Sequence, residues 1–284
     1  MAPFVHYHSR VPLNLHWRFL VRRFDCAMLG WSLKLFRVRG IQLSVHVSFF
    51  LLLAWVAQEG WREGGGWLGA VWNTGALLAF FGCVVLHEFG HSFTALHFGI
   101  GVRRILLMPI GGMAEFDSIP REPSRELLIT LAGPAVNFAI AGVLWLLVDA
   151  AAGPEYPATL TGVSQLLLHA NLVMGCFNLL PAFPMDGGRI LRAALASKYP
   201  YLRATEIAAT VAKFVCIVGI IFGLWQSWWM LAVLFAFIFV AGEIEYRAVR
   251  RREIDDARWR EMLARFYAPV TSEGPPYYRD DRVA

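Results

Sequence analysis

The sequence predicts an all-α polytopic membrane protein with about six transmembrane helices. Three observations lead there. The chain is 57% apolar and only 17% charged, where a soluble domain carries about a quarter charged residues. The apolar residues gather in blocks of about 20, long enough to span a hydrocarbon core of about 30 Å. Basic residues alternate between rich and poor along the intervening segments, as the positive-inside rule requires.

The six blocks are Ile41–Ala57, Leu68–Leu86, Leu127–Val148, Gly162–Leu180, Ile207–Gln226 and Trp228–Ala241. Before the first, residues 1–40 carry seven Lys/Arg against the single acid Asp25. This basic arm is expected on the cytoplasmic side, and the stretch MLGWSLKLFRVRGI (28–41) reads as a natural start, making 1–27 an extension. The segment after the first block holds Arg62 with Glu59 and Glu63, and the one after the third block holds Glu155 and no basic residue. The segments after the second and fourth blocks are basic, with Arg103, Arg104, Arg121 and Arg125 in one and Arg189, Arg192, Lys198 and Arg203 in the other. The strict alternation places both termini in the cytoplasm. Residues 41–242 then form a six-span domain and 243–284 a charged cytoplasmic tail, helical to about Tyr267 and disordered beyond.

The net charge of +5 calls for no nucleic-acid partner, because the basic excess sits where an anionic inner leaflet would meet it. The lipid bilayer is the first partner expected. Cys26, Cys83, Cys176 and Cys216 are scattered and form no disulfide framework.

Chemistry enters at the end of the second block, VVLHEFGHSF (84–93). Ionisable groups at membrane depth are costly and mark function. His87, Glu88 and His91 fit H-E-x-x-H; on a helix, positions four apart share one face, so both imidazoles can reach one metal ion. Glu88, one residue on, projects beside that ion, where it can take a proton from water. The bland alternative is a pair of interfacial histidines, which leaves Glu88 unexplained.

A catalytic zinc needs a third protein ligand and an open position. His97 lies on another face, His169 belongs near the opposite leaflet, and His46 is near the right leaflet but reads equally as hydrogen-bonded packing. The stronger candidate is in NLLPAFPMDGGRIL (178–191), where Pro181 and Pro184 stop the fourth block, Asp186 follows, and Gly187 and Gly188 permit a sharp turn. Asp186 is read as the third ligand; its alternative role is a helix N-cap. Asn137 in the third block reads as an interhelical hydrogen bond, and Lys213 in the fifth as a snorkelling side chain.

Over about residues 30–242 the sequence resembles the site-2 protease family of intramembrane zinc metalloproteases. The resemblance rests on HEFGH, on NLLPAFPMDG, on LLMPIGGMAEF (106–116) and on LAGPAVNF (131–138). It implies one Zn2+ held by His87, His91 and Asp186, with Glu88 activating the water and Asn178 donating to the reacting carbonyl. An asparagine at a helix end is as often a local cap. The resemblance also implies a short membrane-associated β-hairpin near the active site, around Gly111 and Gly112. The β-prone segment Val102–Phe116 would offer substrate a strand edge; a cytoplasmic loop with a type II turn is the alternative. The loops and tail are too short for the PDZ or CBS modules that family members often carry. The implied activity is hydrolysis of peptide bonds in single-span membrane proteins. An anti-sigma factor, a membrane-tethered transcription factor and a signal-peptide remnant are all compatible substrates. A metal-ion transporter and a catalytically silent metal-binding protein are the competing classes.

Overall fold

The computed structural model describes residues 31–117, 122–150 and 160–266. Most of the basic arm with its expected start, the loop bearing Glu155, and the expected disordered end lie outside the described residues.

The described chain opens with two strands, β1 (Ser32–Val38) and β2 (Ile41–His46), and continues into helix α1 (Val47–Gly60). A π-helical turn, Trp61–Gly65, leads to the long helix α2 (Gly66–His97). Strands β3 (Val102–Met108) and β4 (Gly111–Phe116) follow, then α3 (Pro123–Ala150), α4 (Leu160–Asn178), α5 (Asp186–Ala196), α6 (Tyr201–Trp225) and α7 (Trp229–Phe266). Six of the seven helices, all but α5, correspond to the six apolar blocks. Four stretches among the described residues are long and apolar enough to cross a membrane, one of them being α1 and α2 together.

The first block divides differently from the expectation. Its opening residues, Ile41–His46, form β2, and only from Val47 does the chain turn helical. Ile41, Leu43 and Val45 alternate with Gln42, Ser44 and His46, the period-2 pattern of a strand, masked by the apolar block that continues after it. His46 caps α1, its Nδ1 accepting from the Ser48 backbone N–H at 3.2 Å, so it is a packing histidine.

The hairpin around Gly111 is half of a larger sheet, ordered β1-β2-β3-β4. β1 and β2 run antiparallel through a turn at Arg39 and Gly40, both at positive φ, as short hairpins require. β2 pairs parallel with β3, and β3 pairs antiparallel with β4, Met108 facing Gly111 across the turn. The inner strands bury Ile41, Leu43, Val45, Ile105 and Leu107 against Phe81, Val84, Phe89 and Ala95 of α2. β4 is left as an edge strand.

α2 ends because Gly99 takes φ +76°, letting the Ile100 and Gly99 N–H groups donate back to Ala95 and Leu96 carbonyls. Elsewhere small residues let helices touch. A Cβ on Gly90 of α2 would come 2.7 Å from the Ala132 carbonyl oxygen of α3. On Gly223 of α6 it would come 2.8 Å from the Ala232 nitrogen of α7. α7 carries the sixth block and the charged tail as one unbroken helix of 38 residues. No proline or glycine interrupts it after Gly242, and Glu243–Arg247 and Glu261–Arg265 pairs at i,i+4 support it.

Several basic residues counted as loop charges are engaged. Arg192 is fully buried against Glu126, Arg189 meets Glu245 at 3.1 Å, and Arg104 meets Glu115 at 2.8 Å. Lys213 does not simply snorkel: its Nζ lies 2.8 Å from Glu243 Oε2 on α7.

Candidate metal centre

Helical spacing on α2 stacks His87 and His91 on one face, their Nε2 atoms 3.1 Å apart. The Asp186 Oδ2 atom, at the first turn of α5, stands 3.3 Å from each. Asp186 gets there because Pro181 and Pro184 forbid continuation of α4 and turn the chain back. Asp186 is not the cap of α5: that residue is Met185, in extended backbone. All three side chains are buried, at 5%, 8% and 9% exposure.

The outward nitrogens settle what the inward ones can do. His91 Nδ1 donates to the Ile129 carbonyl at 2.8 Å, and His87 Nδ1 donates to Asn137 Oδ1 at 2.9 Å. With both Nδ1 atoms protonated, the neutral imidazoles point bare Nε2 lone pairs at each other and at Asp186 Oδ2, which has no hydrogen-bond donor of its own. Three buried lone pairs converging without a proton between them are destabilised unless a cation sits among them. The spacings suit one. Ligands about 2.0–2.1 Å from a tetrahedral zinc are about 3.3 Å from each other. Among the described residues this is the one group of three such ligands able to hold a metal ion.

The rest of the site is built around that point. Gly133 of α3 faces the imidazoles so closely that a Cβ would strike the rings of both histidines. Gly112 of β4 backs onto Glu88: a Cβ there would come 2.7 Å from Glu88 Cγ and 3.1 Å from its Oε1. The edge strand and the candidate base are therefore neighbours, and β4 has no partner beyond β3 among the described residues. Asn178 closes α4, half-buried, and no hydrogen bond joins it to the cluster. His97 is exposed, and His169 donates to the Gln165 carbonyl on its own helix.

Three features escaped the sequence reading. Asn137 makes an interhelical hydrogen bond as expected, yet its partner is His87 of the candidate centre. The Ile129 carbonyl carries no side-chain signal at all. The Glu126–Arg192 pair joins residues far apart in sequence.

Comparison with known proteins bears on what this centre is. A sequence profile of Peptidase family M50 matches residues 75–162 and 150–220. Zinc metalloprotease MJ0392 of Methanocaldococcus jannaschii is 39% identical over 223 residues, covering 78% of this chain and 62% of the relative. The match thus spans about three fifths of that protein's length. Stage IV sporulation protein FB of Bacillus subtilis is 28% identical, over 79% of this chain and 72% of its own. The solved site-2 protease from Methanocaldococcus jannaschii superposes with a TM-score of 0.55 at 37% identity, covering 76% of this chain and 95% of that one. His87, Glu88, His91 and Asp186 all fall within the residues the profile matches, and the chain belongs to Peptidase family M50, the site-2 protease family.

Proposed function

We propose that this protein is a membrane-embedded zinc endopeptidase that cleaves single-span membrane proteins within or beside their transmembrane segment. The observation that carries the reading is the meeting of His87 Nε2, His91 Nε2 and Asp186 Oδ2 around one point, with Glu88 adjoining. When bound, zinc supplies Lewis acidity for the scissile carbonyl and a water acidic enough to ionise near neutral pH.

The remaining steps belong to side chains and backbone. Ile129 and Asn137 keep both imidazoles in the tautomer that presents Nε2 inward. Glu88 takes a proton from the attacking water as its oxygen bonds to the carbonyl carbon. It then delivers that proton to the amide nitrogen as the C–N bond breaks. Asn178, half-buried at the mouth of the Pro181–Met185 turn, donates to the carbonyl oxygen as charge develops on it. A helical substrate must unwind before attack, and its freed backbone groups need partners at membrane depth. β4 offers them beside Glu88, with Gly111 and Gly112 letting the substrate strand come close. The charge alternation supports cytoplasmic termini and an active site toward that face.

The test uses purified protein in lipid with a single-span model substrate. Glu88→Ala abolishes cleavage while zinc content stays near that of wild type. Full activity in Glu88→Ala refutes the assignment.

A further inference from the structure

The three ligands come from two helices, and both are referenced to a third. α3 holds the histidines of α2 through the Ile129 carbonyl and Asn137. Asp186 belongs to α5, which follows a proline-bounded turn and needs its own tie to that frame. Six residues along α5, about 9 Å by helical rise, Arg192 reaches α3. Its Nε donates to Glu126 Oε1 at 2.9 Å, and a terminal guanidinium nitrogen donates to the same oxygen. Glu126 stands three residues before Ile129. Among the described residues this is the one ion pair joining α3 to α5. The guanidinium also lies 5.4 Å from the ring of Phe183, three residues before Asp186, and 5.2 Å from the ring of Tyr201 at the start of α6.

Both partners are fully buried, at 2% and 3% exposure, and each depends on the other: Glu126 Oε2 and Arg192 Nη1 have no further hydrogen-bond partner. As a stabiliser such a pair is a poor choice, because desolvating two charges costs about as much as their attraction returns. Apolar side chains of similar volume would hold α3 and α5 together as well. They would not fix the offset of one helix along the other, since apolar contact is non-directional. A forked guanidinium on a carboxylate oxygen sets one offset. A metal site needs that, tolerating ligand displacements of only about 0.2 Å.

We propose that Glu126 and Arg192 are positioning residues that set the depth of Asp186 opposite His87 and His91. The inference rests on reading those three as zinc ligands. The experiment measures zinc affinity by chelator competition, and the visible spectrum of the cobalt-substituted protein, for full-length chain in detergent. Wild type is compared with Glu126→Gln and with the double variant Glu126→Met, Arg192→Met, which removes both charges and keeps the packing volume. Zinc affinity is expected to fall about 10- to 100-fold in both, with altered cobalt bands, while helix content and monodispersity persist. Lys213→Met, which breaks the α6–α7 pair with Glu243, should change neither. Wild-type affinity and cobalt bands in the double variant would overturn the proposal. So would an equal loss in Lys213→Met, which would mark a general stability effect. Should wild type itself bind neither metal, the ligand reading fails first and the positioning role with it.

Discussion

His87 donates from Nδ1 to Asn137 Oδ1, 2.9 Å away, across a buried contact between α2 and α3. The bond decides which imidazole nitrogen faces the ligand cluster. Replacing Asn137 by Leu removes the acceptor and leaves a buried N–H unmet, so zinc affinity should drop about 10- to 100-fold. Asn137→Asp, which keeps an acceptor at the same place, should retain far more. Chelator competition on the purified variants reads both. Equal affinity in Asn137→Leu and wild type contradicts the tautomer argument.

Gly112 has no room for a side chain beside Glu88. Gly112→Ala pushes either the edge strand or the carboxylate aside. A displacement of about 1 Å at a catalytic group costs about 10²-fold in rate. The expected result is a large fall in kcat with zinc content unchanged, measured on a single-span model substrate. Loss of zinc together with activity would show instead that the strand supports the metal centre.

That Glu88 and the two histidines share one site was legible in the sequence, because H-E-x-x-H needs nothing beyond helical spacing to bring its residues together. Asp186 was legible for a different reason: two prolines and two glycines around a carboxylate at membrane depth announce a built turn. The apolar blocks told where helices run but not where they begin: the alternation of Ile41–His46 was a strand signal hidden by the apolar run that continues from Val47, and pairing with β1 and β3 makes it β2. Strand β1 was hidden inside a segment read for its charge. Arg192 looked like a loop cation, and the residue that buries it, Glu126, is 66 positions away. Long-range pairings of this kind leave no local periodicity, and neither does a backbone carbonyl such as that of Ile129.

Gly242 of α7 lies against the turn that carries Asp186: a Cβ there would come 2.5 Å from the Phe183 carbonyl oxygen. Gly242→Ala forces α7 or the Phe183–Asp186 segment to shift. Overpacking of this kind costs about 1–3 kcal/mol, read as a lower thermal unfolding midpoint, and zinc affinity should fall with it because Asp186 is three residues on. A lowered midpoint with wild-type zinc affinity would place all the adjustment in α7.

The most direct measurement is zinc stoichiometry of the purified wild-type chain beside Asp186→Asn and His91→Ala, by elemental analysis after exhaustive dialysis against a weak chelator. The account predicts about one zinc per chain in wild type, with loss of nearly all of it in each variant while the helical signal persists. Full zinc occupancy in Asp186→Asn would contradict it.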